Sequence, residues 1–182
     1  LAVYIGNRPP LIEYQTRQNL LPACKGELAM IGQETGNHWR KIINIYAKLA
    51  FLLNTQTGSN QAMYSNQTMY PNQTMPPNWQ AYRDKYLLTS GSEQALLFNT
   101  SFETNHSNIA TSSSNALNII CGKTHAIDLL KANKIDSNSL NWLDKDFAIE
   151  PEHRLIITPY FDYRQLSNAK LDSLVEIIRS FS

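Results

Sequence analysis

The chain has 182 residues and a formal charge of +1, with 16 Lys and Arg against 15 Asp and Glu. That length supports one domain with a real core, and the near balance of charge excludes a strong global pull toward nucleic acid or membrane surfaces while leaving local patches open. The two cysteines, Cys24 and Cys121, lie far apart with no C-x-x-C pair, which fits a reduced, cytoplasmic setting; no stretch approaches the roughly 20 apolar residues of a membrane span.

The chain opens with "LAVYIG" (1–6), whose β-branched and aromatic content predicts a short strand that "NRPP" ends abruptly. Residues 11–25 read as a short amphipathic piece and loop. From Glu27 to Leu53 apolar residues recur at three and four, with Trp39, Ile42, Ile43, Tyr46, Leu49 and Leu53 as the clearest run. Gly32 and Gly36 divide this stretch, and the helix over about 37–53 is the stronger of the two pieces.

Residues 54–80 change character. "NQAMYS", "NQTMYP" and "NQTMPP" form a degenerate tandem hexapeptide over 60–77. Such a polar, Pro-bearing unit has no face to bury, so it predicts a surface insertion and not a solenoid. Doubling a loop costs only about 0.6 kcal/mol, which makes such growth tolerable. The N-x-[ST] matches at Asn66, Asn72, Asn99 and Asn105 are discounted because they fall in repetitive or strand-like text.

Beyond the insertion, "KYLLTS" (85–90) and "ALLFNTSF" (95–102) read as strands. "LNIICG" (117–122) is a strand followed by helical "KTHAIDLLKAN", and "RLIITP" (154–159) is a strand followed by helical "SNAKLDSLVEIIRSF". Continuous apolar strands alternating with helices predict a parallel sheet covered on both faces. The expected architecture is one α/β domain over 1–182, a three-layer α/β/α sandwich with a central, mainly parallel sheet of about four strands. Ligands in such folds sit beyond the carboxyl ends of the strands. Attention therefore falls on "GNRPP", "NTSFET", "GKTHA" and "TPYFDYRQLS".

In the last of these, Tyr160, Asp162, Tyr163 and Arg164 offer a pocket wall of stacking rings and an anion-binding guanidinium; the plainer reading pairs Asp162 with Arg164 or solvent. Arg8 offers a clamp beside a turn stiffened by two prolines, against a solvated arginine. In "GNHWRK", Asn37 or His38 reads as a helix cap, Trp39 as core and Arg40 and Lys41 as solvent-facing, with a contribution to a pocket rim as the alternative. Lys123 stands at a helix start that could meet an anion, although the spacing is not that of a phosphate loop. His125 one turn into that helix suits packing better than base catalysis. His106 stands among loop residues. No metal-ligand spacing and no G-x-S-x-G elbow occur, so neither a metal nor another cofactor is expected.

Four segments carry a resemblance to a known superfamily. "NIICGKTHAIDLL" looks like the strand–Gly-Lys–helix segment of the mismatch-specific branch of the uracil-DNA glycosylase superfamily. "IITPYFDYRQLSNAKLDSLVEIIRSF" is similar to that branch's closing strand, Pro, catalytic loop, Leu-Ser and last helix. "VYIGNRPPL" resembles its first strand and Gly-x-Asn-Pro turn, and "NHWRKIINIYAKLAF" its Asn-Arg-Phe-Trp helix. The stretch "GNHWRK…YAKL" is also similar to a divergent family of uncharacterised bacterial proteins.

The resemblance implies a pocket that receives an extruded base and hydrolyses its glycosidic bond. That chemistry needs a side chain to place water, an aromatic to stack the base and donors for the departing base. Where the superfamily has its water-positioning Asn, this chain has Arg8, with Asn7 one residue earlier. Where the last loop carries an Asn after Pro, Pro159 is followed by Tyr160 in a loop longer by about two residues before "LS". A guanidinium has no acceptor to steer water. Asn99 is similar to a base-reading Asn of the related uracil-specific branch. The expectation is therefore a divergent glycosylase-like fold that binds a nucleobase, nucleotide or nucleic acid through Arg8, Asn99, Lys123, Tyr160, Asp162, Tyr163 and Arg164. Any catalysis would be N-glycosidic hydrolysis, with Asn7, Arg8 and Asn99 as its candidates. The alternative is a non-enzymatic interaction or small-anion-binding protein on the same fold.

Overall fold

The computed structural model describes residues 1–17, 21–55, 76–98 and 116–181. In chain order the elements are β1 (Ala2–Ile5), α1 (Ile12–Thr16), α2 (Glu27–Glu34), α3 (Asn37–Thr55), α4 (Trp79–Lys85), β2 (Ala95–Leu97), β3 (Asn118–Cys121), α5 (Lys123–Ala132), β4 (Asn141–Trp142), β5 (Ala148–Glu150), β6 (Leu155–Thr158) and α6 (Asn168–Ser180). The strands form one sheet in the order β2-β1-β3-β6-β5-β4.

This corrects the expected sheet of about four mainly parallel strands: among the described residues there are six, and the sheet is mixed. β2, β1, β3 and β6 run parallel, whereas β5 is antiparallel to β6 and β4 to β5. The added pair is short and reads weakly as sequence. It is held by the Asp144 turn, where the Asp144 carboxylate accepts from the backbone N–H of Asp146 and Phe147 at 2.7 Å each. The strand expected over 85–90 is also corrected. α4 ends at Lys85, and Leu87 is buried by folding back so that its N–H meets the Tyr82 carbonyl at 3.2 Å.

Alternation along the strands divides the core in two. Val3, Ile5, Ile119, Cys121 and Ile156 face one cluster with Tyr14 of α1, Leu28 and Ile31 of α2, the apolar stripe of α3, Tyr82 of α4 and Leu171, Leu174, Val175 and Ile178 of α6. Ala2, Tyr4, Ala95, Leu97, Ile120, Leu155 and Ile157 face a second cluster with Ala126, Leu129 and Leu130 of α5. β1, β3 and β6 are buried along their whole length, as strands covered on both faces should be.

The path from β1 runs through α1–α4 on the first face, and the path from β3 runs through α5 on the second. Adjacent parallel strands whose crossovers leave on opposite faces open a crevice at their carboxyl ends. At the far end of α3, α4 docks alongside: Asn54 Nδ2 donates to the Tyr82 hydroxyl at 3.3 Å, and the Phe51 and Tyr82 rings meet edge-on at 6.3 Å. The hexapeptide repeat lies between these helices in the chain, and all of it but Pro76 and Pro77 falls outside the described residues. No helix of the described residues is long and apolar enough to cross a membrane.

Candidate functional site

At the crevice, the turn after β1 faces the start of α3. Gly6, Asn7, Arg8, Pro10, Gln15, Thr35, His38, Trp39 and Phe98 line a cleft of about 560 Å³. Phe98 follows β2, so the cleft gathers the ends of β1 and β2 with α1 and the α2–α3 junction. Trp39 is 2 % exposed and meets Phe98 edge-on at 5.8 Å, which makes the apolar wall.

Tyr160 joins this rim from the loop after β6. Its hydroxyl accepts from Asn7 Nδ2 at 3.4 Å and lies 3.1 Å from His38 Nε2. The two rings stack with centroids 5.6 Å apart and planes 19° from parallel. Because the hydroxyl already accepts from Asn7, its one proton is free to point to His38 Nε2. Burial raises the Tyr160 pKa to about 12, with the Cys121 thiol adding to the rise. The phenol stays protonated across the physiological range and remains a donor.

Two glycines stand beside these groups. Gly122, at φ +90°, follows β3, and a Cβ there would stand 3.7 Å from the Tyr160 ring. A Cβ on Gly6 would stand 3.2 Å from His125 Nδ1. The His125 ring thus closes the crevice from the α5 side. Its Nε2 is buried with no hydrogen-bond partner, and burial, against the pull of Asp128, lowers its pKa and favours the neutral ring. The packing reading of His125 fits this position.

The other residues singled out from sequence sort themselves. Arg8 lines the cleft, but its Nη1 donates to the carbonyls of Tyr14 and Arg17 at 2.7 and 2.8 Å, closing the open end of α1. Its guanidinium lies 5.4 Å from the Phe98 ring centre. Asp162 pairs with Lys41 at 2.8 Å and accepts from the Arg164 N–H at 2.9 Å, so the side-chain pairing with Arg164 is absent. The Lys41 hydrogen bond, together with that N–H, lowers the Asp162 pKa. Tyr163 is exposed beneath Lys48, whose Nζ stands 5.1 Å from its ring centre. The Arg164 side chain is exposed. Lys123 lies 4.6 Å from the ring centre of Trp142 on β4. Lys123, Asp162, Tyr163 and Arg164 do not line the cleft, and Tyr160 reaches it only through Asn7 and His38. Asn99 and His106 lie outside the described residues. Asn37 is a first-turn residue that accepts from Arg40 Nη2.

Sequence reasoning gave Gln15 and Thr35 no role and left His38 chiefly as a cap. Gln15 and Thr35 carried no signal of their own. The pointers to His38 were the pairing of His and Trp at the start of a helix and the rim alternative read for "GNHWRK".

The model of a family of unknown function, DUF6942, matches residues 1–179. The chain belongs to that family. No curated protein and no solved structure matches it.

Proposed function

We propose that this chain binds a nucleobase, free or carried by a nucleotide or nucleic-acid strand, in the cleft between β1, β2 and the start of α3. The reading takes the two core clusters as the two sides of a three-layer α/β/α sandwich of the uracil-DNA glycosylase type. One observation carries it: the carboxamides of Asn7 and Gln15 and the His38 imidazole meet the Trp39 and Phe98 rings around a cleft of about 560 Å³, and the Tyr160 hydroxyl touches Asn7 and His38 from beside it. That volume suits a small planar ligand. A carboxamide presents a donor and an acceptor side by side, which matches the edge of a base. Hydrolysis of a glycosidic bond at this site falls to Asn7, since its described bond uses Nδ2 and leaves Oδ1 to accept from a water. The second reading is capture of a small anion. It is favoured by the lining itself, which includes Arg8 and His38 but no carboxylate among the described residues.

Thermal shift with bases, nucleosides, nucleotides and inorganic phosphate tests both. A base-bearing ligand at one hundred times its dissociation constant should add about 2.7 kcal/mol of stability. Asn7→Ala and Tyr160→Phe should abolish that shift while leaving the unliganded protein folded. A shift with phosphate alone favours the anion reading, and a base-induced shift unchanged in both variants removes the site. Oligonucleotides bearing uracil or a mismatch should release free base if the cleft also hydrolyses.

A further inference from the structure

The turn between β5 and β6 lies at the amino end of β6, across the sheet from the cleft. It carries a second cluster of polar groups. Glu150, Glu152 and His153 place their potential ligand atoms within 4.8 Å of one another. Glu150 is fixed by pairing with Leu155, and its side chain is only 3 % exposed. Its Oε2 accepts from the His153 N–H at 2.7 Å and lies 2.9 Å from His153 Nδ1, and Oε1 takes neither bond. Glu152 and His153 face solvent.

A separate observation comes from β3. Asn118 is 8 % exposed and stands in register with Leu155, the residue that also pairs with Glu150. Its Nδ2 donates to the His153 carbonyl at 3.3 Å and to the Ala116 carbonyl at 3.4 Å, which ties the amide to this turn. Its Oδ1 is buried with no hydrogen-bond partner. A carbonyl oxygen stripped of water and left without a donor is costly, and a cation at the turn would relieve that cost. Arg154 does not supply the charge, since its guanidinium lies over the Phe181 ring at 5.9 Å.

We propose that Glu150, Glu152 and His153 bind a first-row divalent cation, with Asn118 Oδ1 as a fourth ligand. Imidazole with carboxylates suits Zn²⁺ or Mn²⁺ better than Ca²⁺, which prefers oxygen alone. The 2.9 Å between Nδ1 and Oε2 serves equally as a hydrogen bond or as the spacing of neighbouring ligands. Two atoms each about 2.1 Å from an ion, at right angles, stand about 3 Å apart. On binding, the neutral imidazole carries its proton on Nε2, and the ion takes the place of the shared proton between Nδ1 and Glu150. The site is independent of the cleft.

Calorimetric titration of the full chain with ZnCl₂, MnCl₂ and CaCl₂ tests this, in a Cys24→Ser background that removes an exposed competing thiol. The expected result is saturable binding of Zn²⁺ or Mn²⁺, weakened at least about 10-fold to 100-fold by Glu152→Gln or by His153→Gln. Asn7→Ala should leave it unchanged. Circular dichroism checks that each variant is folded. Absence of saturable binding, or an affinity unmoved by both Glu152→Gln and His153→Gln, overturns the site.

Discussion

Tyr160 shows how one oxygen can join distant parts of the chain. Its hydroxyl meets Asn7, 153 residues away, and His38, 122 residues away. Gly122 lies beneath the ring. Gly122 has φ +90° and ψ 134°, a backbone setting that costs a non-glycine residue about 1–3 kcal/mol. Gly122→Ala should therefore lower unfolding stability by that amount, read from urea midpoints. The new methyl would meet Tyr160 at 3.7 Å, an ordinary contact, so ligand affinity at the cleft should be retained. A loss of binding without loss of stability would show that Gly122 serves the cleft and not the backbone.

At the scale of elements, α1 and α2 are joined by a carboxylate. Glu27 accepts from the Tyr14 hydroxyl, from the Cys24 N–H at 2.7 Å and from Arg17 at 3.4 Å. Burial pushes the Glu27 pKa up, but these donors outweigh it and the net shift is downward. A carboxyl with a depressed folded pKa adds stability above its unfolded value, lost as pH falls through the folded one. The stability gap between the native chain and Glu27→Gln should be widest near neutral pH and should narrow below about pH 4. Urea titrations at several pH values check this, and a gap that widens in acid would reverse the assigned shift. Since α1 carries Gln15 into the cleft, the same clamp positions one wall of the site.

At the scale of the molecule, β1, β3 and β6 were legible because strands buried on both faces read as unbroken apolar runs. β4 and β5 were not, because "NWLDKDFAIE" (141–150) carries no run of β-branched residues and pairs through the Asp144 turn and β6. The turn after β1 and the loop after β6 were legible as site elements from their position after strands. The meeting of Asn7, His38 and Tyr160 was not, since nothing local in "GNHWRK" says which loop α3 will face. Arg8 shows a second use that its residue type did not announce: besides lining the cleft, it donates from Nη1 to the carbonyls that end α1. Trp39 shows how far the site depends on the core beneath it. Trp39→Ala should cost about 3–5 kcal/mol by leaving a cavity and should weaken any ligand of the cleft, measured by denaturation and thermal shift.

The docking of α4 on the end of α3 has a practical corollary. Thr55 and Pro76 are moored by helices already locked together, so a peptide tag or fluorophore spliced between them inherits two fixed anchor points. From Thr55 back to His38 the helix spans about 25 Å, which sets the separation of that anchor from the cleft.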